Sequence, residues 1–223
     1  MVGVVSALVV PNLKLKYEER ILVSKYKQLY SMMNMAFNES VKQFGPVKYW
    51  DLESDELFAS IKFIKYIIPA GLKVDYVEGK FQNIPIKYLH NKNAKKVDGS
   101  RKQIYKLKNG ITFGEVWIVN TNCTHTINAD IYKNNMFLSN QCGDFTVDLN
   151  GEGEPNTLGI DQYQFRVSQR GVIPVGIRDD VNRNIKDYCN PKGDKPFNGY
   201  SCGAWIIEKG TMPWLWGKQV EWD

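Results

Sequence analysis

The feature that most constrains this chain is its first 44 residues, which demand one long helix. Met1 to Leu13 reads MVGVVSALVVPNL, apolar apart from Ser6 and Asn12. Leu22, Tyr26, Leu29, Met33, Ala36 or Phe37, and Val41 then recur at spacings of three and four, the period of an amphipathic helix. The opposite face carries Glu18, Glu19, Lys25, Lys27, Gln28 and Asn34. The pattern predicts a continuous helix from about Val2 to about Gln43, stopped by Gly45 and Pro46. Pro11 falls inside it, where proline removes a hydrogen bond. The apolar run is shorter than the roughly 20 residues that span a bilayer. It is no signal peptide either, because Lys14 and Lys16 follow the run instead of preceding it.

The remainder reads as α+β. Leu52 to Ile67 is expected to form a short second helix, with Ser54 as N-cap, Asp55 and Glu56 in its first turn, and Pro69 beyond it. Ile84 to Lys108 is polar and basic and is read as a solvated loop; the positive excess of the chain, net +5, collects there. So mild a charge, without a dense aromatic ladder, argues against nucleic acid as a partner. Strands are expected over Ile111–Val119, Thr126–Tyr132, Gly143–Val147, Tyr163–Ser168, Gly171–Gly176 and Gly203–Lys209. Asn109-Gly110 suits a two-residue hairpin turn, and Arg170-Gly171 is a weaker candidate. The domain plan is an N-terminal helix over 1–44 (apolar half 1–13, amphipathic half 14–44) and a globular α+β head over 45–223.

Cys123, Cys142, Cys189 and Cys202 include no C-x-x-C pair, and only two histidines accompany them. An even cysteine count in the Gly/Asn-rich half fits two disulfides and an oxidising compartment, with three pairings open and neighbour pairing the simplest. Asp148, Asn150, Glu152 and Gly153 match the D-x-N-x-E-G opening of an EF-hand-like calcium loop. Gly159 stands where that loop needs its last acid, and Asp161 lies two residues further on. Two readings meet here: a calcium-stapled β-loop, or an Asx- and Gly-rich turn tied by side-chain-to-backbone hydrogen bonds.

No catalytic constellation emerges. G-x-S-x-G, H-E-x-x-H, P-loop and G-x-G-x-x-G motifs are all absent. Cys123-Thr124-His125 brings a thiol near an imidazole, but Cys123 is better used as a disulfide half. Asp179-Asp180 reads as a solvated turn. Trp205, Trp214, Trp216 and Trp222 would serve a packed core, a subunit contact or a sugar-binding platform.

Val2-Gly3-Val4-Val5-Ser6-Ala7-Leu8-Val9-Val10-Pro11, followed by the amphipathic half, resembles the N-terminal helix of type IV pilins and type II secretion pseudopilins. Gly3, Ala7 and Pro11 fall at the family's glycine, alanine and proline positions, and with Val2 they are the residues expected to serve filament assembly. The Val147, Asp148, Asn150, Gly151, Pro155, Asn156, Gly159, Asp161, Tyr163 and Phe165 series is similar to a run in the same family. So are Tyr200 to Ile207 and Gly210 to Leu215 near the end. The family's basic leader, glycine, phenylalanine and glutamate do not precede these residues. Either Met1 is a start placed too far downstream or the sequence is cut, and a prepilin peptidase would not cleave it as written. The resemblance implies a pilin-like fold and a structural subunit that assembles with its own or related subunits. It also implies an inner-membrane anchor with a periplasmic or extracellular head, and no required cofactor. The alternative is a secreted carbohydrate-binding or adhesive module.

Overall fold

The computed structural model describes residues 2–50, 52, 74–75, 83–84, 86–90, 101–107, 109–118, 122–124, 135, 137–151 and 153–223. The fold is α+β. Helix α1 runs Val2–Phe44 with Pro11 inside it, and it ends where Gly45 takes φ +79° ahead of Pro46. Seven strands follow among the described residues: β1 (Val74–Asp75), β2 (Asn83–Ile84), β3 (Arg101–Leu107), β4 (Thr112–Ile118), β5 (Gln141–Asp148), β6 (Gln162–Ser168) and β7 (Gly171–Pro174). Strands β3 to β7 form an antiparallel meander, and β1 and β2 pair along the free edge of β3. Helices α2 (Ile185–Tyr188) and α3 (Cys202–Lys209) close the chain with a 3₁₀ turn at Pro213–Trp216.

Register sorts the side chains of β5 and β6 onto two faces, because successive residues alternate sides. Phe145 lies opposite Phe165 and Val147 opposite Tyr163; between them Asp144 faces Arg166, Thr146 faces Gln164, and Asp148 faces Gln162. The apolar face takes α1. Tyr26, Leu29, Met33, Ala36 and Phe37, spaced by three and four, are all buried, and they are the stripe the sequence promised. The Tyr26 ring lies 4.3 Å from Tyr163 and 5.4 Å from Phe165, and aromatic contacts continue through Phe145 to Phe113 across the sheet. The other face is polar yet also buried. Arg166 pairs there with Asp180, its Nε sits 3.5 Å from Asp144, and Gly176 and Arg183 donate backbone N–H groups to Asp180.

Five expectations need correcting. Gly203–Lys209 is not a strand but lies within α3. Its Trp205, Ile206 and Ile207 have β propensity, but Gly210 caps the segment at φ +69° and Gly203 packs against Tyr26 of α1, and tertiary packing wins. Arg101–Leu107, read as solvated loop, is β3, stitched between β4 and the two short strands. The Asn109-Gly110 hairpin has three residues between Leu107 and Ile111 instead of two, with Gly110 at φ +86°, and the β6–β7 turn centres on Gln169-Arg170, one residue earlier than expected. Asp180 is not solvated but 3% exposed, the counter-ion of Arg166. The expected helix over Leu52–Ile67 and strand over Thr126–Tyr132 lie outside the described residues, apart from Leu52, which is buried.

Candidate functional site

Helix α1 is exposed over a long stretch before the head covers it. No residue from Pro11 to Lys25 is buried, and full burial starts at Tyr26. Those fifteen positions make about 22 Å of helix at 1.5 Å per residue. The head grips the helix at Glu19. Its carboxylate accepts the Met212 backbone N–H at 2.7 Å and the Trp216 indole N–H at 3.0 Å. Leu22 and Val23 then pack partly into the core. Pro11 to Lys25, without a buried residue, form a stem. Val2, Gly3, Ala7 and Pro11 lie at the N-terminal end of the same helix, and the last three follow each other at four-residue steps along one row. Among the described residues, no helix is long and apolar enough to cross a membrane.

All four cysteines are paired. Cys123 joins Cys142 and Cys189 joins Cys202, the neighbour pairing, with Cα–Cα separations of 3.9 and 4.9 Å. The Cys123 sulfur is therefore no free nucleophile, and His125 lies outside the described residues. Two disulfides fit folding in an oxidising compartment. The second encloses a loop that carries Phe197; Arg183, before the loop, stacks over Phe197 at 5.6 Å and over Tyr188 at 4.8 Å.

Between β5 and β6 the structure brings Asp148 and Asp161 together, and Glu152 lies outside the described residues. Asp148 accepts the Asn150 backbone N–H and the Gln162 side-chain amide, both at 3.0 Å. Asp161 accepts the Asn156 N–H at 2.9 Å and the Thr157 N–H at 2.7 Å, one on each oxygen. Asn150 reaches across the loop to the Glu154 carbonyl. Burial first, and the neighbouring Asp148 charge second, push the Asp161 carboxyl up to about 7. This is the Asx-turn pattern, with each carboxylate oxygen engaged by the loop itself. Among the described residues, no group of three or more His, Cys, Asp or Glu side chains is placed to hold a metal ion.

The C-terminal tryptophans hold the tail to the body. Trp214 is 3% exposed and donates its N–H to the Gly159 carbonyl at 2.7 Å, so its ring has no open face for a sugar. Trp205 and Trp222 stack on each other at 5.2 Å, with Arg178 over Trp222 at 4.9 Å. Sequence reading missed the Glu19 clasp. Glu19 was expected on the polar face, but it stands seven residues before Tyr26, about two turns, and so on the side of α1 that meets the head. Comparison with protein-family models, curated proteins and solved structures returned no match.

Proposed function

We propose that this chain is a structural subunit of a bacterial filament, a type IV pilus or a type II secretion pseudopilus, which assembles through α1. The observation that carries the reading is the stem. A helix of 43 residues gives its second half to the head and leaves Pro11 to Lys25 without a buried residue, the design of a part meant to pack elsewhere. The N-terminal end of the same helix is also the part that resembles the pilin helix, with Gly3, Ala7 and Pro11 in the matching places. Small residues in one row let neighbouring helices approach closely in an apolar filament core or a bilayer. The meander behind the helix and the disulfide-tied tail make a rigid head that would face the periplasm or the exterior. The partners are further copies of this chain or related subunits, and the anchor before assembly is the inner membrane. No chemistry and no required cofactor enter this reading.

The glycan-binding alternative draws less support, because Trp214 is core and Trp205 and Trp222 stack on each other, which leaves Trp216, 38% exposed, as its most open ring among the four. The test is a photo-crosslinking amino acid at Leu13 in the native host. A ladder of multimers that disappears when the filament-assembly ATPase is removed is the expected result. Monomers only, or a ladder indifferent to the ATPase, would sink the proposal.

A further inference from the structure

The outward face of the stem carries a pattern that helix bundling does not explain. Leu13, Tyr17 and Ile21 follow each other at four-residue steps, on the side of α1 opposite Tyr26, Leu29 and Met33. They are 60%, 66% and 37% exposed. The same row continues as Ser24, Gln28 and Ser31, all exposed and polar, and then as Met35, 64% exposed. Three consecutive apolar members in the stretch of α1 that holds no buried residue point to an environment other than water around the stem.

The charges beside the row give the chemistry of that environment. Lys16 and Arg20 lie along one edge and Lys14 and Lys25 along the other, all exposed, at the 100° steps of a helix. The acids lie toward the core side. Glu18 is 3.8 Å from Lys14, and Glu19 is held by Met212 and Trp216. An apolar strip with an aromatic residue at its centre and basic residues on both edges is the arrangement of a helix seated in a membrane interface. Tyrosine favours the headgroup level, and lysine or arginine beside it attracts anionic phosphates.

We propose that the stem face built from Leu13, Tyr17 and Ile21 docks on an anionic phospholipid surface, with Lys14, Lys16, Arg20 and Lys25 as its phosphate-binding collar. This rests on the membrane-anchored state of the filament reading and adds the lipid class. The collar would hold the unassembled subunit at a fixed depth, with its head clear of the bilayer.

The test is flotation of the full chain with vesicles of phosphatidylcholine alone and with vesicles containing roughly one-third phosphatidylglycerol. Anionic vesicles should bind roughly 100-fold more tightly, since each basic residue near a charged surface contributes about fivefold and Glu18, beside Lys14, offsets one of the four. Added salt should erase most of that preference. The Lys14→Glu/Lys16→Glu/Arg20→Glu variant should lose it as well, while its melting temperature stays that of the parent. Tyr17→Ser/Ile21→Ser should weaken binding to both vesicle types. Equal binding of the parent chain to both vesicles, or an anionic preference that survives charge reversal, would overturn the inference and leave the filament reading standing. So would self-association without lipid that Tyr17→Ser/Ile21→Ser abolishes, because the strip would then belong to a second copy. Failure to bind either vesicle would overturn both this inference and the membrane-anchored state.

Discussion

Two tyrosines a ring apart in the core have opposite fortunes. Tyr163 gives its hydroxyl proton to the Ile160 carbonyl at 2.6 Å, whereas the buried Tyr26 hydroxyl meets no hydrogen-bond partner among the described residues. A buried polar group without a partner costs about 1–3 kcal/mol. Tyr26→Phe should therefore leave stability unchanged or raise it by about 1 kcal/mol, while Tyr163→Phe should lower it by about 1 kcal/mol in chemical denaturation. Gly203 is the companion case. A Cβ there would stand 2.0 Å from the Tyr26 hydroxyl oxygen, so Gly203→Ala should cost about 1–3 kcal/mol despite alanine's better helix propensity. Adding Tyr26→Phe should recover part of that loss. Asp161 supplies the pH dependence. Its carboxyl titrates near 7 in the folded state and near its ordinary value, 3.8, unfolded, so its contribution is complete below about pH 4 and fades as pH rises through 7. Melting experiments should show a loss of roughly 2–4 kcal/mol between about pH 4 and pH 8, at ~1.4 kcal/mol for each tenfold difference in proton affinity between the two states. Asp187 and Glu208 are depressed by Lys195 and Arg178 and act the other way, only in more acid solution. Asp161→Asn should flatten the slope between pH 4 and 8. Calcium should leave the melting temperature unchanged at pH 8, because the loop already engages all four oxygens of Asp148 and Asp161. A rise that needs Asp148 would restore the calcium-stapled loop.

At the scale of elements, the clasp between α1 and the tail is the contact whose removal is easiest to see. Glu19→Ala takes one acceptor from two donors, and Gly210 to Gly217 should then exchange amide hydrogens faster, with the sheet unaffected. A result with no change at Met212 would mean that packing of Trp214 alone holds the tail. What the sequence made legible follows from how local each cause is. The α1 stripe, its stop at Gly45-Pro46 and strands β4 to β7 rest on periodicity and turn residues, and these survive into the fold. Strand β3 was missed because its lysines and arginine look solvated, although Asn109-Gly110 required a strand on both sides. Helix α3 was misread because Trp205, Ile206 and Ile207 favour a strand in isolation. Gly210 and Pro213 after it were the end signals that pointed to a helix. The polar face of β5 and β6 was not legible at all. Asp180 and Arg166 are fourteen residues apart, and nothing local says they share a buried ion pair.

For the molecule as a whole, the stem was legible and the clasp on it was not. The apolar run, the proline and the amphipathic half are local patterns, so the helix could be drawn from them. The clasp has Glu19 meeting Met212 and Trp216 almost two hundred residues later, a separation no periodicity reports. The disulfides lie between these cases, since pairing of Cys123 with Cys142 and Cys189 with Cys202 was one of three choices. Removing Cys189–Cys202 through the double serine variant should cost about 2–5 kcal/mol and loosen the loop that holds Arg183 against its aromatic rings. Assembly through the stem is the central claim, and the chemistry of the native N-terminus tests it most directly. Mass spectrometry of the protein from the cell envelope should find a mature chain that begins about a dozen residues before Val2, at an N-methylated phenylalanine. A native chain that begins at Met1 and remains with the soluble fraction would contradict it.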